Sequence, residues 1–311
     1  MAYAKLKERL VAGEVILLDG GTGTELERRG VTMNPDAWCG PATLGNTEVL
    51  RDIHVDYINA GAEIVTANTY ASSRLMLEPA GFGDKVGEIN RTAVETVLAA
   101  REASGRDDVV VAASLSHMAP IHGGTSTADA TQLPSPEVVE DALSESARIF
   151  ADAGAELILL EMVYRPMHLD AICRAAASSG LPFWVGFSCR RGDDGSVLAF
   201  ERHSDVPFAD IIDVASRHDA DAAGVMHTPS NLIGDAIDIL KAGYDGPLTA
   251  YPDSGYFKMP EWQFEDIIPP ADLVDYAEHW YAQGVRAFGG CCGLSPEHIS
   301  ALAGLRTPQA A

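Results

Sequence analysis

Eight short, almost wholly apolar runs, each followed by a longer stretch of helical periodicity, read as one α/β domain over residues 1–311, a single (β/α)8 TIM barrel. Two further observations support this. The runs are rich in β-branched residues and lack polar alternation, as strands covered on both faces should be. Several helical stretches also end in glycine just before the next strand (Gly61, Gly154, Gly180, Gly243 and Gly284), the residue that favours a helix C-terminus.

The candidate strands cover residues 15–19, 63–67, 109–114, 156–161, 183–187, 221–226, 247–251 and 285–288. Between them lie helix-like segments such as "NTEVLRDIHVDYINAGA", "SPEVVEDALSESARIFADAGA" and "PADLVDYAEHWYAQG". Pro136 and Pro270 sit where a first helical turn tolerates proline. The runner-up is an open doubly wound sheet, which requires a nucleotide fingerprint after the first strand. The loop there, "DGGTGTELERRG", is glycine-rich but lacks the G-x-G-x-x-G order, and no G-K-[ST] appears.

With 311 residues, 47% of them hydrophobic, the chain can bury a large core. Its formal net charge of −23 argues against nucleic acid or an anionic membrane as partner, since both reward clustered Lys and Arg. The first residues, "MAYAKLKERLVAGEVILLDGG", contain no apolar run long enough for a signal peptide or a membrane span. Five cysteines without regular spacing make no disulfide framework. A soluble, cytoplasmic protein is expected.

A barrel places its chemistry at the C-terminal strand ends and the loops after them. Those positions hold Asp19-Gly20-Gly21, Asn68-Thr69-Tyr70, His117, Glu161, Ser188-Cys189, His227, Tyr251-Pro252-Asp253 and Cys291-Cys292. The adjacent cysteines in "VRAFGGCCGLSPEH" are the most informative. A disulfide between neighbours is strained, whereas two thiolates aimed at one metal ion need only a third ligand. Strands six and eight are separated by a single strand, so His227, Cys291 and Cys292 are expected to converge on one Zn2+. Three Cys/His ligands with an open fourth position is the pattern of a catalytic zinc. The competing readings are two cysteines buried as small hydrophobes, a His227 that is only a hydrogen-bonded core residue, and Cys189 as the third ligand instead. His117 reads as a loop residue rather than a ligand.

These residues carry a resemblance. The segments "LLDGGTGTELERRG", "EIVTANTYAS", "LLEM", "AAGVMH", "YPDSG" and "GVRAFGGCCGLSPEHI" make the chain similar, over nearly its whole length, to the homocysteine S-methyltransferase family. That family includes betaine-, S-methylmethionine- and folate-dependent enzymes. The resemblance implies a (β/α)8 barrel and a zinc ion held by three cysteines, with Cys291 and Cys292 in two of those roles. At the third, usually a cysteine, stands His227 in "GVMH". Two thiolates and a neutral imidazole leave the zinc site with formal charge zero instead of −1. A less anionic site should hold an incoming thiolate more readily and leave its sulfur less nucleophilic. This favours an activated onium donor, or an acceptor thiol other than homocysteine.

The remaining roles follow from the expected substrates, a small-molecule thiol acceptor and a methyl donor. Asp19 and Glu161 are candidates for the acceptor's amino group, which the resemblance supports. The amides of Gly20 and Gly21 suit its carboxylate. Trp38, in "NPDAWCGP", and Tyr70, in "ANTYAS", are candidates to face a cationic donor through cation–π attraction. Asp19 reads alternatively as a helix N-cap, Glu161 as a barrel-interior ion pair, and the two aromatics as packing. The absence of a cobalamin-binding segment makes the chain look more similar to the stand-alone betaine or S-methylmethionine enzymes. Two other functional classes stay open: a zinc-dependent barrel lyase or hydrolase, and a zinc-storing or partner-binding barrel without turnover.

Overall fold

The apolar runs become the staves of a closed barrel in the computed structural model, which describes residues 2–121, 128 and 133–306. The strands are β1 (Ile16–Leu17), β2 (Ile64–Ala67), β3 (Val110–Leu115), β4 (Leu157–Val163), β5 (Phe183–Phe187), β6 (Ala222–Pro229), β7 (Leu248–Asp253) and β8 (Val285–Phe288). Seven parallel pairings run from β1 through β8, β7 and so on down to β2. A parallel bridge between Leu18 and Ile64 closes the ring. The first strand is shorter than the run 15–19 suggested. Its bonding nonetheless continues on both sides, Leu18 N donating to Phe288 O at 2.7 Å and Asp19 N to Ile64 O at 3.0 Å.

Side chains fill the barrel. Ile16, Leu18, Ile64, Val110, Ala112, Leu157, Leu159 and Trp184 form one buried cluster with Tyr3, Leu6 and Leu10 of the helix Ala2–Val11. That helix plugs the end where the strands begin. Trp184 Nε1 donates to Tyr3 Oη at 3.0 Å, Tyr3 Oη donates to Asp221 at 2.6 Å, and Lys7 pairs with Asp221 at 2.7 Å. A second, larger cluster lies between strands and helices and includes Leu50, Ile53, Val94, Val97, Leu143 and Phe150. Each such side chain contributes roughly 1.5–3 kcal/mol by leaving water, which is why a chain this apolar closes around its sheet.

Three of the five expected capping glycines, Gly61, Gly154 and Gly284, end their helices with left-handed φ of 110°, 102° and 109°. The other two expectations are corrected. The helix Leu169–Ala177 is capped by Ser178, and Gly180 follows in the turn beyond it. The helix Ser230–Leu240 is capped by Lys241; Gly243 is instead a point of close approach, where a Cβ would lie 2.7 Å from Ile212 Cδ1. Pro136 and Pro270 do open helices, Pro136–Ala153 and Pro270–Gln283.

Two irregularities matter for function. Along β4 and β5, Leu160 pairs with Val185 but Val163 with Phe187, so β4 carries one extra residue. Along β6 and β7, Met226 pairs with Tyr251 but Pro229 with Asp253, so β6 does too. Both bulges lie at the C-terminal end of the barrel. Among the described residues no helix is long and apolar enough to cross a membrane.

Candidate active site

The extra residues of β4 and β6 aim side chains into the mouth. Met162 and His227 adopt left-handed φ of 54° and 44°, a conformation that non-glycine residues rarely take. A bulge bends its strand and redirects the neighbouring side chains. Here the two bulges turn Glu161 and His227 toward the same cavity, of about 620 Å³, which Asp19, Cys291 and Cys292 also line.

His227, Cys291 and Cys292 meet as expected. Their ligand atoms all lie within 4.8 Å of one another, the one such metal-competent trio found among the described residues. His227 Nδ1 stands 3.5 Å from Cys291 Sγ, and the two sulfurs are 3.9 Å apart. On its other side His227 Nε2 lies 3.6 Å from Asp253 Oδ2. Burial alone would push the imidazole down; the nearby Asp253 carboxylate and the Cys291 sulfur outweigh it and hold the ring up to about 9. Cys189 is not part of the trio. It is fully buried, with its sulfur 3.7 Å from Thr228 Oγ1. His117 lies, as expected, in the loop after β3 and outside the trio; it is fully buried there, edge-on to Tyr164 at 4.8 Å.

Asp19 and Glu161 sit deeper. Asp19 accepts from Thr66 twice, from N at 2.7 Å and from Oγ1 at 3.0 Å, which is barrel bonding rather than helix capping. The helix that follows, Thr22–Arg28, is capped by Gly21 with no side-chain bond. Glu161 accepts from Ser114 Oγ at 2.5 Å; it makes no direct ion pair among the described residues, and the charge of His227 reaches it only at longer range. Burial pushes Asp19 up to about 8, with nearby Glu161 adding to the effect, and burial pushes Glu161 up to about 7. Two carboxyl groups that resist ionisation without a cation form a site prepared for one.

One glycine expectation needs correction. The Gly21 amide donates to Leu294 O at 3.2 Å and so is already engaged. Both glycines serve close packing: a Cβ on Gly20 would lie 2.6 Å from Leu294 O, and one on Gly21 would lie 2.7 Å from Cys291 O. Gly20 lines the cavity beside Asp19.

Trp38 and Tyr70 both line the cavity and contact each other edge-on at 6.1 Å. Trp38 Nε1 donates to Glu27 at 2.7 Å, and Tyr70 Oη to Met162 Sδ at 2.8 Å. Further rings extend the series: Phe257 at 5.4 Å from Trp38, Trp262 at 6.4 Å from Phe257, and His227 at 5.8 Å from Trp262. Phe257 and Trp262 belong to a hairpin, Tyr256–Lys258 with Glu261–Gln263, that folds over the mouth after β7. Sequence reasoning missed both, although the aromatic-rich "GYFKMPEWQF" follows a strand end where chemistry was expected. It also passed over Thr66 and Ser114, which hold the two carboxyls.

Fold and site together define a barrel enzyme that works at the C-terminal mouth of its sheet. Residues 16–305 match the family model described as homocysteine S-methyltransferase; the chain belongs to that family and is a methyltransferase. It is 28% identical to homocysteine S-methyltransferase 3 of Zea mays, over 94% of this chain and 90% of that protein. Homocysteine S-methyltransferase YbgG of Bacillus subtilis (strain 168) is also 28% identical, with 93% of each chain covered. Selenocysteine methyltransferase of Astragalus bisulcatus is 26% identical over 93% of this chain and 91% of its own. In fold, the chain resembles the metallated form of the homocysteine methyltransferase MmuM from Escherichia coli, with a TM-score of 0.76 and 24% identity over 96% and 99% of the two chains.

Proposed function

We propose that this methyltransferase is zinc-dependent and moves a methyl group from an onium donor of the S-methylmethionine, sulfonium or betaine type to a thiol, homocysteine, giving methionine. The observation that carries the reading is the spacing of the His–Cys–Cys trio. Two sulfurs bound to one tetrahedral zinc stand about 3.8 Å apart, and a sulfur and an imidazole nitrogen about 3.6 Å, from ordinary bond lengths. For two of its three pairs the chain offers 3.9 Å and 3.5 Å, and all three ligand atoms lie within 4.8 Å of one another. The named activities of the relatives, and the metallated form of MmuM, point the same way.

His227, Cys291 and Cys292 would hold the ion, leaving one position for the acceptor. A zinc ion there would supply Lewis-acid chemistry, lowering the pKa of the acceptor thiol. Asp19 and Glu161 receive its ammonium group, which supplies the positive charge that their burial otherwise denies them. The faces of Trp38, Tyr70, Phe257 and Trp262 suit a cationic donor whose methyl groups carry no hydrogen-bond donor. Closed in by the hairpin, the donor methyl and the acceptor sulfur would meet in line with little competing water.

Metal content of wild type and His227→Ala, paired with zinc-edge X-ray absorption with and without homocysteine, tests the reading. One zinc per chain with two sulfurs and one nitrogen, gaining a third sulfur on adding homocysteine, is the expected result. Zinc whose surroundings ignore homocysteine would remove the acceptor, and protein that takes up no zinc would remove the metal.

A further inference from the structure

The imidazole of His227 faces a different group with each ring nitrogen. Nδ1 is 3.5 Å from Cys291 Sγ, on the sulfur side. Nε2 is 3.6 Å from Asp253 Oδ2, with both side chains almost wholly buried at 11% and 12% exposure. The other carboxylate oxygen, Asp253 Oδ1, is buried without a hydrogen-bond partner. Phe200 and Trp262 flank the ring edge-on, at 5.7 Å and 5.8 Å between centroids, and limit its tilt. The backbone supports the pairing, since Asp253 ends β7 in register with Pro229, across the bulge that contains His227.

A histidine ligand must present a lone pair on one nitrogen, and the tautomer is set by what the other nitrogen's hydrogen meets. We infer that Asp253 is the positioning residue of His227: it takes the Nε2–H and thereby fixes Nδ1 as the ligand atom facing the two cysteines. The inference rests on the reading above that the trio holds zinc. The 3.6 Å separation is that of an ion pair rather than a hydrogen bond, and the carboxylate's charge at that distance favours the proton on Nε2 over Nδ1. A carboxylate in this place helps only a ligand that carries a second N–H. Beside a thiolate at position 227 the same carboxylate would be a like charge and a cost. His227 and Asp253 therefore form a matched pair, and the unusual ligand brings its own support.

Zinc dissociation constants, measured by competition with a chromophoric chelator, test this without any turnover. The proteins are wild type, Asp253→Ala, Asp253→Asn, His227→Cys and the double variant His227→Cys/Asp253→Asn, each checked for an unchanged urea midpoint. Loss of an outer partner of this kind weakens metal binding about 10- to 100-fold, and that is expected for Asp253→Ala. Asp253→Asn should lose less, because its amide oxygen still accepts, and it carries the test if the alanine variant does not fold. In the His227→Cys background Asp253→Asn should cost nothing, or tighten binding. Equal loss in both backgrounds would make Asp253 merely structural and overturn the inference, as would no loss in either. Wild type that binds no zinc would instead overturn the reading beneath it.

Discussion

Gly21 lies against the peptide of Cys291: a Cβ at position 21 would fall 2.7 Å from the Cys291 carbonyl oxygen, and 3.0 Å from Cys292 Cα. The first loop of the barrel is thus moulded on the last, and the pair of sulfurs owes its position to a missing side chain elsewhere in the sequence. The nearest atom, Thr24 Oγ1 at 2.5 Å, belongs to a side chain, but the two from Cys291 and Cys292 are backbone and cannot yield as a flexible side chain would. Gly21→Ala should displace the cysteines, costing about 1–3 kcal/mol of stability and a larger share of metal affinity. Zinc content at equal protein concentration, read beside a urea unfolding curve, separates the two. Full metal loading in a stable alanine variant would show that the contact is not what sets the sulfurs.

Glu161 links stability and binding with opposite signs. Its carboxyl is held protonated up to about 7 against a usual 4.5, because burial penalises the charge. The folded state therefore binds more protons than the unfolded one between these values. The stability this gives is complete below about 4.5 and is lost as pH rises through 7. Glu161→Gln keeps an acceptor for Ser114 and never ionises. It should be more stable than wild type by about 3 kcal/mol at pH 8, with the gain vanishing near pH 4.5. The same variant should raise KM for the amino-acid acceptor, having lost the charge that meets its ammonium. A pH series of unfolding curves beside acceptor kinetics checks both; an unchanged KM would remove Glu161 from the acceptor site.

His54 acts in the reverse direction. It is fully buried on the helix Thr47–Ala60, and neither ring nitrogen has a partner. Burial lowers it to about 3 from 6.5, so the unfolded state binds the extra proton. Stability is whole above 6.5 and is lost as pH falls from there toward 3. His54→Leu, an apolar residue of similar bulk, should relieve this. Its advantage over wild type should grow by about 2 kcal/mol between pH 7 and pH 5, with kinetics unchanged at pH 7. If the gain is the same at both pH values, the ring is already protonated, or solvated, in the native state.

How much of this was legible beforehand depends on the range of the interaction. Strands such as 109–114 and 183–187 could be read because burial on both faces writes itself into consecutive residues. The trio of His227, Cys291 and Cys292 could be read because barrel topology alone brings the ends of strands six and eight together. The bulges could not. In a run buried on both faces there is no alternation for an extra residue to interrupt, so "LLEMV" and "VMHTP" look regular. The amide of Gly21 was expected to be open, because its partner Leu294 lies at the far end of the chain and only the closed barrel joins them. The spacing of Tyr3, Leu6 and Leu10 was likewise present in the sequence, but nothing local tells an amphipathic surface helix from a plug.

The hairpin after β7 gives the sharpest test of donor chemistry. Glu27 ties it to the first loop, accepting from Trp38 Nε1 at 2.7 Å and from Trp262 N at 2.8 Å. Phe257 is thereby held 5.4 Å from Trp38, at the cavity wall. Phe257→Leu keeps an apolar side chain and removes an aromatic face. An onium group loses about 0.5–2 kcal/mol with such a face, which corresponds to a rise in donor KM of about 2- to 30-fold. The acceptor's KM should stay put, since Asp19 and Glu161 are untouched. Tetramethylammonium, a cation with no other recognition feature, should inhibit wild type competitively against the donor and inhibit the variant more weakly. If donor KM and tetramethylammonium inhibition both survive the substitution, the rings pack the hairpin and the donor's charge is met elsewhere.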